Sequence, residues 1–164
     1  MLSKLTQPDK STSITTKLFT PLNTGDIEQL LDTHDWDNNV VVTPFNCVPL
    51  TSVKSYPYAY ICNTDDNQSP GTHWFTLLFP SENALEIFDS FAECHQDMME
   101  KFPSRTTLVN TRVLQHLLTS TCGYYCVMFL HHRLNLGLSM EEFVTQFDAK
   151  DLLGNDIKVA RMIQ

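Results

Sequence analysis

Short apolar runs in the middle of the chain are separated by polar segments in the manner of β-strands. The runs are rich in β-branched and aromatic residues, and several are bounded by Asn or Pro. They predict five strands, over residues 40–42, 58–62, 74–79, 84–88 and 107–111. The segment Pro80-Ser81-Glu82-Asn83 lies between the third and fourth runs, and its turn chemistry predicts that these two strands form a hairpin.

Helical periodicity occurs on both sides of these strands. Thr24 is placed to cap a helix that carries Ile27, Leu30 and Leu31 on its apolar face. A long apolar run predicts a buried central helix over residues 124–135, which stops near Gly137. Three more helices are predicted: residues 97–102, ending before Pro103; a helix capped by Ser139 with Glu142 in a capping box; and residues 155–162. This order is typical of an α+β fold, with a small mixed or antiparallel sheet flanked by helices.

The length and composition predict a single domain over residues 1–164. A chain of 164 residues with 42% hydrophobic residues and 10 Phe can bury a sizeable core. Residues 1–20 are poor in apolar side chains and are expected to form a flexible or peripheral arm, with a short strand at 13–19 as the alternative. No run approaches the roughly 18 apolar residues that span a bilayer, and the N-terminal residues lack a signal-peptide core. We therefore expect no membrane association and no secretion.

Charge and cysteine content narrow the possible partners and compartment. The net charge is −8, with 11 Lys+Arg against 19 Asp+Glu and no cluster of basic residues. Binding to a phosphate backbone needs clustered positive charge, so we do not expect a nucleic-acid partner. The five cysteines are irregularly spaced and odd in number, which favours free thiols in a reducing compartment. No second ligand pair with zinc spacing accompanies Cys126 and the two histidines that follow it, so no metal is expected.

The candidate chemistry is that of a thiol protease, because the required residue types occur in the order His73, Asp89, Gln115, Cys122. A thiolate is a much better nucleophile than a thiol, so Cys122 needs a partner such as His73 that favours the ionised form. Asp89 would hold the imidazole in the right tautomer and stabilise its charge. The other five histidines are interpreted as surface or structural residues.

The residues next to the nucleophile have predicted roles of their own. The side-chain amide of Gln115 and the backbone N–H of Cys122 are the expected donors to the oxyanion. Gly123 would let the chain turn tightly behind the nucleophile. The apolar run that follows would put Cys122 at a helix N-terminus, where the dipole favours a thiolate. Trp74 is interpreted both as a core aromatic and as a wall that keeps water from His73, and Cys126 as a core residue.

Several segments together resemble adenain, the adenovirus maturation protease family, and look closer still to the adenain-like proteases of Polinton/Maverick elements and adintovirus-like viruses. The segments that carry the likeness are Gly71-Thr72-His73-Trp74, Phe88-Asp89-Ser90-Phe91, Gln115 and residues 121–131, with Asn46-Cys47-Val48-Pro49, Asn63-Thr64-Asp65 and Asn155-Asp156-Ile157-Lys158-Val159 in support. The resemblance spans roughly residues 40–164. Together and in this order, the motifs His-Trp, Asp, Gln and Cys-Gly are a specific signature of the family, although each motif alone is weak evidence.

The resemblance implies a permuted papain-like fold and a function in virion maturation. Substrates would be viral or virus-like capsid and core precursors, cut after small-residue motifs ending in Gly. A narrow cleft formed by Trp74 and Gly123 would bind such motifs. A monomer located in the host nucleus or cytoplasm and in the virion is expected.

This chain departs from the family pattern in two ways. Adenain uses Glu where this chain has Asp89, but either carboxylate can accept a hydrogen bond from imidazole. Adenain is activated by a peptide disulfide-linked to a Cys shortly before the oxyanion Gln, whereas residues 101–110 here contain no Cys and the nearest is Cys94. A peptide activator from a viral protein therefore stays open, without that disulfide. DNA activation is not expected in so acidic a chain.

Two alternatives remain open. The same residue order occurs in proteases that remove SUMO and other ubiquitin-like modifiers, although these usually carry Asp-Cys-Gly where this chain has Thr121-Cys122-Gly123. The other alternative is a catalytically silent binding domain. The intact set of four residues favours an enzyme, since a decayed enzyme usually loses one of them.

Overall fold

A five-stranded mixed sheet forms the centre of the described part of the chain. The computed structural model describes residues 20–34, 39–50, 55–65 and 73–164, so the possible strand at 13–19 and nearly all of the N-terminal arm lie outside it. The strands are β1 (Val40–Pro44), β2 (Tyr58–Asn63), β3 (Trp74–Ser81), β4 (Ala84–Phe88) and β5 (Thr106–Val109). They lie in the sheet in chain order, with β2, β3 and β4 antiparallel and the two outer strands parallel to their neighbours. The five predicted strands and the hairpin are confirmed, except that the last strand ends at Val109 and not at 111.

Five α-helices flank this sheet in the described residues. They are α1 (Thr24–Thr33), α2 (Gln96–Lys101), α3 (Cys122–Leu130), α4 (Met140–Val144) and α5 (Leu152–Met162), with a 3₁₀ turn at Phe45–Cys47 and a π-helical turn at His131–Asn135. The α+β class is therefore confirmed. Within the described ranges, none of these helices has both the length and the apolar character that crossing a membrane requires.

Four helices differ from the sequence prediction at their boundaries. The helix predicted at 97–102 is Gln96–Lys101, and α5 begins at Leu152, three residues before the predicted 155, where Asp151 caps it. The cap of α1 is Asn23 and not Thr24: the Asn23 side chain accepts from the Asp26 N–H, and the Asp26 carboxylate accepts from the Asn23 N–H. The central helix begins at Cys122, two residues before the apolar run, and leaves α geometry after Leu130. The predicted stop is confirmed, since Gly137 has a φ of 69°.

Apolar layers cover both faces of the sheet. On one face α3 packs against β3, and the core includes Phe88 stacked on Phe129 with ring centroids 4.4 Å apart. On the other face β3 contributes Phe75, Leu77 and Phe79 to a second cluster that α2 helps to close. Successive residues of a strand point to opposite faces, so two covered faces explain why β3 is apolar nearly throughout.

Candidate active site

Antiparallel pairing of β3 and β4 brings His73 next to Asp89. His73 directly precedes β3 and Asp89 directly follows β4, and Thr76 pairs with Phe88 in the ladder. The start of one strand therefore lies beside the end of the other. The His73 Nε2 atom is 2.7 Å from Asp89 Oδ2, a charge-assisted hydrogen bond between a partly buried imidazole and a buried carboxylate.

The immediate surroundings of His73 favour its charged form. Burial alone lowers the pKa of His73, but the hydrogen bond with Asp89 and the charges of Asp89 and of an ionised Cys122 outweigh burial and raise the pKa from 6.5 to about 10. The imidazole ring also lies against Phe91, with centroids 5.2 Å apart. An imidazolium next to Cys122 is the partner that a thiolate needs.

A second histidine, His95, also binds Asp89. Its Nε2 atom is 2.6 Å from the same Oδ2, and its ring stacks on Phe75 at 3.7 Å. His95 has a φ of 46°, a left-handed conformation that turns the loop back toward the carboxylate. The sequence interpretation as a surface or structural histidine therefore missed a direct contact with the candidate triad. Nothing local in the sequence marks this contact, because the loop after Asp89 has to fold back to make it.

Asp89 is held by its backbone as well as by the two histidines. Its N–H donates to Asn110 Oδ1 at 2.9 Å, and its carbonyl accepts from Asn110 Nδ2 at 2.7 Å. Its Oδ1 accepts from the Phe91 N–H at 2.7 Å. Burial raises the pKa of Asp89, but the hydrogen bonds from His73 and His95 prevail and hold the pKa below its ordinary 3.8. Asn110, a buried residue directly after β5, is a second positioning residue that the sequence did not reveal.

Cys122 occupies the first position of α3 and is 5% exposed. Its N–H belongs to the first helical turn, where backbone donors have no partner within the helix, and the helix dipole there favours negative charge. Asp89 occupies Nε2 of His73, so Nδ1 is the ring nitrogen that remains for the thiol. That Nδ1 atom is buried and makes no hydrogen bond to a described residue. Cys122 is thus close enough to influence His73 without a formed Sγ–Nδ1 hydrogen bond.

Gln115 is buried and firmly held near the same site. Its Oε1 accepts from Ser90 Oγ at 2.6 Å, and its Nε2 donates to the Thr119 carbonyl at 2.9 Å and lies 3.3 Å from Thr119 Oγ1. Ser90 directly follows Asp89, and its carbonyl accepts from the backbone N–H groups of Leu114 and Gln115. One Gln115 N–H is therefore committed, and the other, which has only the longer contact, is the one that an oxyanion can take.

A cavity of about 580 Å³ contains both His73 and Gln115. Its lining is largely apolar: Thr64, His73, Phe91, Glu93, Val113, Gln115, Leu117 and Leu152. This lining does not include Trp74, Gly123 or Cys122. A cleft with an apolar wall and few polar groups is the usual form of a binding site.

Trp74 and Gly123 both lie in the core. Trp74 is buried in the same cluster as Cys122, and its Nε1 donates to the Leu22 carbonyl at 2.9 Å. Gly123 lies inside α3 and not in a turn, so its predicted turning role is wrong. A Cβ at Gly123 would lie 3.2 Å from the Leu22 Cβ, so the absence of a side chain lets the segment before α1 pack on α3. Cys126 is fully buried, as predicted, and all five cysteines are free thiols.

Only one set of residues in the described ranges has the ligand spacing of a metal site. The ligand atoms of His73, Asp89 and His95 lie within 4.8 Å of one another. Both imidazole Nε2 atoms, however, already point at the single oxygen Oδ2. A metal ion would have to displace a proton from His73, and the raised pKa of about 10 means that this proton is held tightly. The arrangement fits a network of shared protons better than a metal centre.

No protein-family model matches this chain, and no curated protein matches it. Its chemistry is therefore inferred from the site itself.

Proposed function

We propose that this protein is a cysteine endopeptidase with an adenain-like, permuted papain-like fold. The observation that carries the proposal is the contact of His73 with buried Asp89 beside Cys122 at the start of α3. The α+β architecture and the strand-end positions of His73 and Asp89 support it. A structural histidine would need neither a buried carboxylate partner nor a neighbouring thiol at a helix N-terminus.

The proposed reaction is acyl transfer to Cys122. The thiolate attacks a peptide carbonyl while Asp89 keeps His73 oriented and charged. The Gln115 N–H that has only the longer contact with Thr119 Oγ1 turns to the oxyanion, and together with the backbone N–H of Cys122 it stabilises the tetrahedral intermediate. His73 then gives its proton to the leaving amine, and water hydrolyses the thioester with His73 acting as base.

The proposed substrates are capsid or core precursors of a virus or virus-like element, cut after small-residue motifs ending in Gly. This part of the proposal comes from the family resemblance. The apolar cavity beside His73 is consistent with an extended peptide substrate. A peptide library varied at the two residues before the cut tests the motif, and a preference for bulky side chains at the last residue would refute it.

The test of the thiolate–imidazolium pair is the rate of Cys122 alkylation by iodoacetamide as a function of pH. We expect a fast phase well below about pH 8 that disappears in His73→Ala. Cys47 and Cys94 are exposed thiols and serve as internal controls, followed by mass spectrometry of their peptides. If Cys122 reacts no faster than Cys94, the silent binding domain becomes the better interpretation.

Removal of a ubiquitin-like modifier is the second candidate function. Leu117 and Leu118, which are 80% and 86% exposed, present apolar surface next to the cavity that a folded partner can contact. A folded modifier fused through its Gly-Gly tail should then be cleaved far faster than the isolated tail peptide. Equal rates on both substrates would favour the maturation protease.

A further inference from the structure

Asp156 on α5 is a fully buried carboxylate that is surrounded by hydrogen-bond donors. Its Oδ2 lies 3.1 Å from the His116 N–H nitrogen and 2.7 Å from Thr119 Oγ1. Its Oδ1 lies 3.0 Å from Thr121 Oγ1 and 2.9 Å from the Tyr125 hydroxyl. An ionised carboxylate accepts only, and four donors match its capacity.

These donors all belong to the chain segment that joins Gln115 to Cys122, or to the first turn of α3. The neighbouring residue on α5, Asn155, adds a contact, because its Nδ2 donates to the Leu114 carbonyl at 3.1 Å. Thr119 links the two sets of contacts: it faces Asp156 through its hydroxyl, and its carbonyl holds the Gln115 amide. Asp156 and Gln115 are thus connected through a single residue.

Apolar packing does little to fix this segment. Leu117 and Leu118 at its centre point into solvent, although both are large apolar residues. A segment without buried apolar side chains gains little from the hydrophobic effect and depends on its polar contacts for a fixed position. The hydrogen bonds that Asp156 accepts from His116, Thr119 and Thr121 tie this segment to α5.

We propose that Asp156 is a positioning residue that fixes Gln115 and the first turn of α3 in the geometry needed to stabilise an oxyanion. The inference rests on the proposed cysteine peptidase function and extends it to a residue outside the site. Asp156 does not contact substrate in this proposal. It acts through Thr119 on the Gln115 amide, and through Thr121 on the residue that precedes Cys122.

The choice of a charged residue supports this role. Burial raises the pKa of Asp156, and the hydrogen bonds of Thr119, Tyr125, His116 and Thr121 only partly offset that effect. Burial and the charge of Asp156 raise the pKa of Tyr125 as well, so its hydroxyl stays protonated and able to donate. A buried charge is an expensive way to stabilise a core, and an apolar residue of similar size often serves as well. The presence of a buried carboxylate at this position is better explained by its hydrogen bonds to the loop between Gln115 and Cys122.

The experiment compares acylation with alkylation in Asp156→Asn. Alkylation by iodoacetamide needs the thiolate but no oxyanion donor, whereas peptide hydrolysis needs both. We expect kcat for a peptide substrate to fall about 100-fold, as when one oxyanion donor is lost, with KM changed by less than about threefold and the alkylation rate of Cys122 by less than about twofold. Asp151→Asn is the matched control: it removes the same charge from the exposed cap of α5 and should retain the wild-type kcat.

A second pair of variants distinguishes loss of the positioning contact from loss of the folded state. Thr119→Val removes the hydroxyl that faces Asp156 and should lower kcat, whereas Thr119→Ser keeps a hydroxyl and should restore most of it. Combining Asp156→Asn with Gln115→Ala should cost clearly less than the sum of the two single changes, since both disturb the Gln115 donor. Thermal unfolding of each variant shows whether it is folded at the assay temperature.

The outcomes separate failure of the inference from failure of the proposed function. A folded Asp156→Asn or Thr119→Val variant with wild-type kcat, or fully additive effects of Asp156→Asn and Gln115→Ala, overturns the positioning role. Equal loss of alkylation and hydrolysis also overturns it, because Asp156 would then act on the thiol and not on the oxyanion donors. A wild-type chain that neither hydrolyses peptides nor shows fast alkylation of Cys122 overturns the peptidase proposal itself.

Discussion

The two halves of the candidate site are held in different ways. His73 and Asp89 lie at the ends of two paired strands, so the sheet register by itself brings them together. Gln115 and Cys122 lie on either side of a loop whose central leucines are exposed, and buried polar groups on α5 hold that loop. The comparison shows that a regular ladder brings a pair of side chains together through its register, with nearby polar groups only fixing the carboxylate in place, whereas an irregular loop depends on a polar anchor for its position.

Loss of the carboxylate in the strand-held half should have the largest effect. Asp89→Asn leaves an amide facing two imidazole Nε2 atoms, so the orientation and charge of His73 are no longer favoured. We expect kcat/KM for peptide hydrolysis to fall by about 10³- to 10⁴-fold, as in other triads that lose their acid. Asp97→Asn, an exposed carboxylate in the first turn of α2, is the control and should remain fully active. A tenfold loss or less in Asp89→Asn would mean that the register alone suffices to orient His73.

The same half should also determine how stability depends on pH. The pKa of His73 is raised from 6.5 to about 10 in the folded protein, so its contribution is fully present below pH 6.5 and is lost as pH rises through 10. The pKa of Asp89 is lowered, so its contribution is present above pH 3.8 and is lost as pH falls through the folded value. The free energy of unfolding, measured with urea, should fall by on the order of a few kcal/mol as the pH rises from about 6 to 10. His73→Ala should flatten this decline, and an unchanged slope would contradict the strong His73–Asp89 pair.

Sequence patterns predicted the strand-held half better than the loop-held half. Strand ends are visible in the sequence, so the neighbours of His73 follow once the hairpin between β3 and β4 is recognised. His95, Asn110 and Asp156 act through contacts made only after loops and a distant helix have folded, and no local spacing indicates them. The cap of α1 was misplaced by one residue because Asn23 and Thr24 are both good capping residues.

The smallest expected effect is that of replacing His95. This change tests whether the His73–Asp89 pair needs the His95 hydrogen bond to stay in place. Its Nε2–H shares Asp89 Oδ2 with His73, but Asn110 and the Phe91 N–H already hold Asp89 from other sides. His95→Gln keeps an N–H donor and should change kcat by no more than about threefold, whereas His95→Ala should lower kcat about tenfold and shift the acidic limb of the pH–rate profile. Gln96→Ala, an exposed neighbour on α2, is the control. A loss in His95→Ala as large as in Asp89→Asn would show that the strand register needs a polar anchor after all, and the two halves of the site would then be held by the same means.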